Sequence, residues 1–169
     1  LKAEAASNHL IIATVDLEST DLEAQVLSAI GDSHLDLLVA NAARFAAWDE
    51  VASTADLTNA EAVMQVNLFG TWRVIQAALP ALKRGAHSAI ISVGSGSGSH
   101  RDPQFGLTTN PGAVSYAVSK AALHALMRKL AAELKGSPVR VWTVDPGLTA
   151  TSPGMEDFGA RRLADARRA

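Results

Sequence analysis

The chain has no cysteine. That single absence excludes a disulfide framework, a thiolate metal site and a thiol redox pair, and it suits a cytoplasmic protein. Charge of one sign is also lacking: 15 Lys and Arg stand against 17 Asp and Glu, a formal net charge of −2. So even a balance gives no electrostatic reason to expect nucleic acid or an anionic membrane as partner, and a small neutral or polar partner fits better. No apolar run approaches the roughly 18 to 20 residues that span a bilayer, and no charged-then-apolar leader opens the chain. His9, His34, His87, His100 and His124 show no ligand spacing with one another or with acidic residues, so no metal site is expected.

What is present is apolar and segmented. With 169 residues and 48% hydrophobic content, the chain can bury one sizeable core and reads as a single domain over 1–169. Short continuous apolar runs at His9 to Val15, Leu35 to Ala40, Ser88 to Val93 and Val139 to Val144 have the character of buried parallel strands. Helical patterns separate them. Asp21 to Ile30 has Leu22, Val26, Leu27 and Ile30 at helical spacing and Gly31 as its stop. A capping box, Thr58 with Glu61, opens a helix to about Leu82, with Val63, Val66, Phe69, Val74, Ala77 and Ala78 on one buried face and Pro80 late in the pattern. Tyr116 to Leu134 is a helix rich in small residues. Between them, Phe45 and Trp48 are expected to fold back as an apolar cap. This alternation predicts an α/β protein built on a doubly wound, Rossmann-like parallel sheet, with ligands at the carboxyl ends of the strands.

Chemistry concentrates at Ser115 to Ala122. Tyr116 and Lys120 stand four apart, on one face of a helix at about 3.6 residues per turn. A phenol titrates near pH ~10, and an ammonium beside it would stabilise the phenolate and draw that value down. Upstream, the strand at Ser88 to Val93 runs into Gly94-Ser95-Gly96-Ser97-Gly98-Ser99. A dinucleotide fingerprint fails there, because the glycine spacing is wrong and no helix start follows. A hydrolase elbow also fails, since no window reads Gly-x-Ser-x-Gly. Asn67 sits inside a helix, where an Asn competes for backbone groups and has weak propensity. Asp16 and Asn41 each follow an apolar strand, and Asp145-Pro146-Gly147 ends another.

In this order and at these separations, from His9 to Thr151, the segments resemble the short-chain dehydrogenase/reductase family, with its Tyr-x-x-x-Lys signature and upstream serine. The resemblance implies reversible hydride transfer between NAD or NADP and a carbonyl or secondary alcohol. It gives Tyr116 the acid-base role, Ser95 a hydrogen bond to the substrate oxygen, and Lys120 the Tyr116 pKa and the nicotinamide ribose. Asn67 would distort its helix and hold a water leading to Lys120. The implied cofactor contacts are Asp16 on the adenine, Asn41 near the ribose, and Pro146, Gly147, Thr149 and Thr151 on the carboxamide, together with Tyr116 and Lys120. Two departures stand out. Ala40-Asn41-Ala42-Ala43 replaces Asn-Asn-Ala-Gly, and the 21 positions from Ser95 to Tyr116 make an unusually long connection, containing Pro103, Phe105, Asn110 and Pro111. A loop of that length either shapes the substrate mouth or lies exposed.

The resemblance further implies a homodimer or homotetramer packed through the helices bearing Asn67 and Tyr116. The family's first strand, glycine-rich turn and following helix have no counterpart before Leu1, and its last strand none after Thr151, so the sheet is expected to be incomplete at both ends. A chain opening on Leu rather than Met suggests a start further upstream. The rival expectation is a noncatalytic interaction or signalling fragment of the same fold.

Overall fold

The computed structural model describes residues 12–148, and every structural statement below concerns those. In chain order the elements are α1 (Leu22–Ile30), β1 (Leu37–Ala40), α2 (Leu57–Met64), a π-helical segment (Gln65–Gly70), α3 (Thr71–Arg84), β2 (Ser88–Val93), α4 (Val114–Glu133) and β3 (Val139–Val144). A 3-10 turn at Gly96–Gly98 follows β2.

The three strands form one parallel sheet in the order β1-β2-β3. Parallel neighbours need crossovers, and α2 to α3 and then α4 supply them. In-register residues share a face, which divides the sheet cleanly. Ile90 and Val139, with Leu38 and Val141 beside them, face a core built from Ile75, Ala78 and Leu82 of α3 and Leu123, Met127 and Leu130 of α4. Leu37, Val39, Ala89, Ile91, Trp142 and Val144 alternate onto the other face, where Leu37, Val39, Trp142 and Val144 are exposed. β1 and β3 are therefore not the strands buried on both faces that their composition predicts.

Other expectations shift in detail. Ile12–Val15 adopts no regular structure, because no described strand lies alongside to pair with it, while His9 to Ile11 fall outside the described residues. α1 matches its pattern and ends at Gly31. Asp56, not Thr58, caps α2: its side chain accepts from the Thr58 N–H at 2.9 Å, the carboxylate two residues earlier reaching the orphan donor first. The expected single helix to Leu82 is three segments, α2, the π-helical stretch and α3, and α3 runs through Pro80 to Arg84. Phe69, expected on the buried face, stands exposed, as does Trp72 nearby. A two-pronged ion pair ties α1 to α3: Arg73 Nε and Nη2 donate to the two Glu23 carboxylate oxygens at 2.6 Å each, while Nη1 donates to the Ser19 carbonyl at 2.8 Å.

Candidate active site

β2 and β3 end together, with the Gly94 N–H donating to the Val144 carbonyl at 2.7 Å. Past that point Ser95 caps the 3-10 turn, its Oγ accepting from the Ser97 N–H at 3.2 Å. The turn lies directly on α4. A Cβ on Gly98 would sit 2.6 Å from the Ala121 nitrogen, so only glycine permits this contact. Ser95 is thereby held against the first turns of α4, near enough to the Tyr116 phenol to favour its ionised form.

Lys120 lies one helical turn beyond Tyr116 and is 2% exposed. Its Nζ donates to the Val93 carbonyl at 2.8 Å and stands 5.5 Å from the centre of the Tyr116 ring. Burial, with no carboxylate to offset it, draws the Lys120 ammonium down from 10.5 to about 8. The Tyr116 phenol moves the other way from the sequence expectation. Burial pushes it above its ordinary value of 10.0, the Ser95 hydrogen bond opposes that rise, and Asp145 adds to it. The reason is positional: the ammonium sits over the ring and is bonded to the strand, so it does not reach the phenol oxygen.

Asn67 is 1% exposed within the π-helical segment. Its Oδ1 accepts from the Arg44 N–H at 2.7 Å, and its Nδ2 donates to the Arg44 carbonyl and to Ser119 Oγ at 2.9 Å each. Ser119 Oγ passes the connection to the Tyr116 carbonyl at 2.7 Å. An extra residue in the helical turn is what aims this amide sideways, and such π turns recur at functional sites. One buried amide thus joins the chain after β1 to the helix bearing Tyr116 and Lys120.

The N-terminus of α4 has no cap of its own, because Ala113 stands in the left-handed region at φ 48°. Glu50 fills that role from 65 positions away, its carboxylate accepting from Ser115 N–H at 2.8 Å and Ser115 Oγ at 2.6 Å. Burial raises the Glu50 pKa, but the two Ser115 hydrogen bonds outweigh it and the carboxyl ends below its ordinary value. No local pattern marks Glu50, Ser119 or Arg44 as site residues. Ser119 alone carried a clue, lying inside the Tyr-x-x-x-Lys stretch.

Asn41 follows β1, and Pro146 and Gly147 follow β3, at the same carboxyl end of the sheet as Ser95. Asn41 is exposed, and the Gly147 N–H donates to Asp145 Oδ1 at 2.9 Å. Asp16 is exposed in a turn, its Oδ1 accepting from the Glu18 N–H at 3.0 Å. Thr149 and Thr151 lie outside the described residues. Among the described residues no group of three or more His, Asp or Glu is placed to hold a metal ion. A cleft of about 800 Å³ between α4 and β3 includes Ser95, His124 and Asp145 in its lining but neither Tyr116 nor Lys120.

The chain belongs to the short chain dehydrogenase family, whose model matches residues 1–161. It is 30% identical over 165 residues, 97% of its length, to an uncharacterized oxidoreductase of Staphylococcus saprophyticus, covering 65% of that protein. It is 33% identical over 138 residues, 78% of its length, to the rhamnolipids biosynthesis 3-oxoacyl-[acyl-carrier-protein] reductase of Pseudomonas aeruginosa, covering 50% of it. An uncharacterized NAD-dependent oxidoreductase of Mycobacterium tuberculosis is 36% identical over 146 residues, 85% of this chain and 50% of that protein. The chain therefore spans between 50% and 65% of the length of these relatives. Among solved structures, the Pseudomonas aeruginosa RhlG/NADP active-site complex superposes with a TM-score of 0.67 at 31% identity, over 86% of this chain and 59% of that one. The fold is also that of the NADPH-bound carbonyl reductase from chicken fatty liver, with a TM-score of 0.84 at 24% identity over 99% of this chain and 70% of that one.

Proposed function

We propose that the protein is an oxidoreductase moving hydride between a nicotinamide cofactor, NAD or NADP, and a carbonyl or secondary alcohol substrate. The observation that carries this reading is the Lys120 ammonium, buried and bonded to the end of β2, standing 5.5 Å from the centre of the Tyr116 ring at the carboxyl end of a parallel sheet, with Ser95 near enough to act on the phenol. The RhlG complex with NADP and the NAD-dependent oxidoreductase of Mycobacterium tuberculosis support the cofactor class.

The residues fit such a cofactor. Lys120 is a buried cation that makes one hydrogen bond among the described residues, to the Val93 carbonyl, out of three donors, leaving N–H groups for ribose hydroxyls. Asp16, Asn41, Tyr116, Lys120, Pro146, Gly147, Thr149 and Thr151 would hold it. When bound, the nicotinamide supplies or accepts the hydride at its ring carbon. Tyr116 then gives its proton to the substrate oxygen in reduction and takes one in oxidation. Ser95 donates a hydrogen bond to that oxygen as charge develops. Asn67 holds the Arg44 backbone and Ser119, so its role here is to fix the phenol's helix against the chain after β1, and we infer that any proton-resupply water is ordered nearby. Because the buried phenol is held protonated at neutral pH, reduction proceeds there without further activation, whereas oxidation needs the phenolate and should rise through the alkaline range.

Replacing Tyr116 by Phe tests the assignment. Turnover should fall by about a thousandfold or more, while cofactor still quenches tryptophan fluorescence. Ordinary turnover in that variant would end the proposal. We also infer a homodimer or homotetramer in the cytoplasm. Phe69 on the π-helical segment, Trp72 on α3 and Val118 on α4 are large, exposed apolar side chains on the elements such an interface would use.

A further inference from the structure

Four of the chain's eight aromatic residues form one row of ring contacts that begins at the phenol, Tyr116 to Phe45 to Trp48 to Phe105. The Phe45 ring lies 4.6 Å from that of Tyr116 at 51°, Trp48 lies 4.7 Å from Phe45 at 55°, and Phe105 lies 6.1 Å from Trp48 at 47°. Rings at these separations and tilts are in favourable edge or offset contact. They come from three separate segments. Phe45 is nonetheless 45% exposed, so nearly half of a residue whose ring touches that of Tyr116 remains open to a ligand. We propose, building on the oxidoreductase reading above, that this row of rings is the substrate wall and selects carbonyl compounds bearing an aryl group beside the reacting carbon.

The wall is pinned before any substrate arrives. Arg44, next to Phe45, is clamped on both backbone groups by Asn67. Glu50, two residues beyond Trp48, is clamped by Ser115, and its carbonyl accepts from the Val114 N–H at 3.3 Å. Trp48 runs so close to Gly112 that a Cβ there would lie 2.2 Å from the Trp48 carbonyl oxygen. Phe105 is fixed by its N–H bond to Asp102 Oδ1 at 2.6 Å, and Leu107 ties the loop back to the Ser99 carbonyl at 2.9 Å. The long connection before Tyr116 is thus ordered structure that delivers a ring to the site. A surface rigid beforehand loses little entropy on binding, so a flat ring laid on Phe45 keeps most of its contact free energy. A puckered ring of the same size cannot match the planar contact.

The test compares phenyl methyl ketone with cyclohexyl methyl ketone, close in size, of which the phenyl compound, conjugated with its ring, is intrinsically the slower toward hydride, so any preference for it must come from binding. The wild-type protein with cofactor should reduce the phenyl compound with kcat/KM about tenfold above the cyclohexyl compound. Phe45→Leu, which keeps apolar bulk and removes the ring, should bring that ratio down to one or below. Equal rates on both ketones in the wild type, or an unchanged ratio in Phe45→Leu, would overturn the proposal. Saturation-transfer NMR supplies a readout that needs no turnover: phenyl methyl ketone should be contacted in the wild type and in Tyr116→Phe, and weakly in Phe45→Leu. Contact without turnover in the wild type would sink the oxidoreductase reading and leave the wall standing. Turnover without aryl preference would do the reverse, and absence of contact would overturn the wall directly.

Discussion

Lys120 is the residue on which burial and charge conflict most sharply. Its ammonium is buried behind the Tyr116 ring on one hydrogen bond, and its pKa falls from 10.5 to about 8. An unfolded chain holds that proton more tightly than the folded one, so folding releases it between those two values, and stability rises with pH across that window. Below pH 8 the full cost of the buried charge is present. Relative to Lys120→Met, the wild type should therefore gain up to about 3 kcal/mol between pH 7.5 and 10.5, at 1.36 kcal/mol per pKa unit. Urea unfolding of both proteins at the two pH values measures it. A constant difference would mean that the ammonium is well solvated. Tyr116 titrates in both proteins and so drops out of the comparison to first order. At the same scale, Glu23 behaves oppositely: the Arg73 hydrogen bonds hold its carboxyl near 2 against an ordinary 4.5. Its contribution is complete above that ordinary range and disappears as pH falls through the folded value. Between pH 5 and 2 the wild type should lose more melting temperature than Glu23→Gln does.

At the scale of elements, the site is a junction and not a pocket cut into one helix. Asn67 joins the π-helical segment to the Arg44 backbone and to α4 through Ser119, and Glu50 closes the N-terminus of α4. Losing the Asn67 side chain leaves the Arg44 N–H and carbonyl without that partner at a half-buried position, and leaves Ser119 without its buried donor. Asn67→Ala should cost about 2 to 3 kcal/mol by denaturant unfolding, in line with removal of partners from buried polar groups. It should also lower kcat more than cofactor affinity, since the Tyr116 helix loses its brace. Much of this junction was readable in advance only as a suspicion. Asn67 stood out because an Asn in mid-helix has a cost, and that cost is matched by a π turn. Glu50 gave no such signal, because an acidic residue in a polar connection looks solvated until the fold brings it 65 positions along the chain. The helix boundaries were blurred for a related reason: Asp56 and Thr58 are both good caps, and which is used depends on how the chain enters the helix.

Across the whole molecule, the helices α3 and α4 cover one face of the sheet, and the apolar residues at 37, 39, 142 and 144 mark the other. Exposed Phe69, Trp72 and Val118 form a second apolar region on adjoining helices. If that region is the subunit interface, Trp72→Glu places a charge in it and should shift the protein to monomer in light scattering, with the far-UV spectrum retained. An unchanged mass would send the interface elsewhere. Periodicity and composition determined the α/β class, strands expected at 35–40, 88–93 and 139–144 and found at 37–40, 88–93 and 139–144, helices expected at 21–30 and 116–134 and found at 22–30 and 114–133, and the pairing of Tyr116 with Lys120 on one face, because these follow from spacing along a local backbone. Tertiary structure alone decided which faces of the strands are covered, which way the Tyr116 pKa moves, and that Phe45, Trp48 and Phe105 line up in a row of rings ending at Tyr116. Solvation and proximity depend on segments far apart in the chain, and a local pattern carries no record of what will be packed against it.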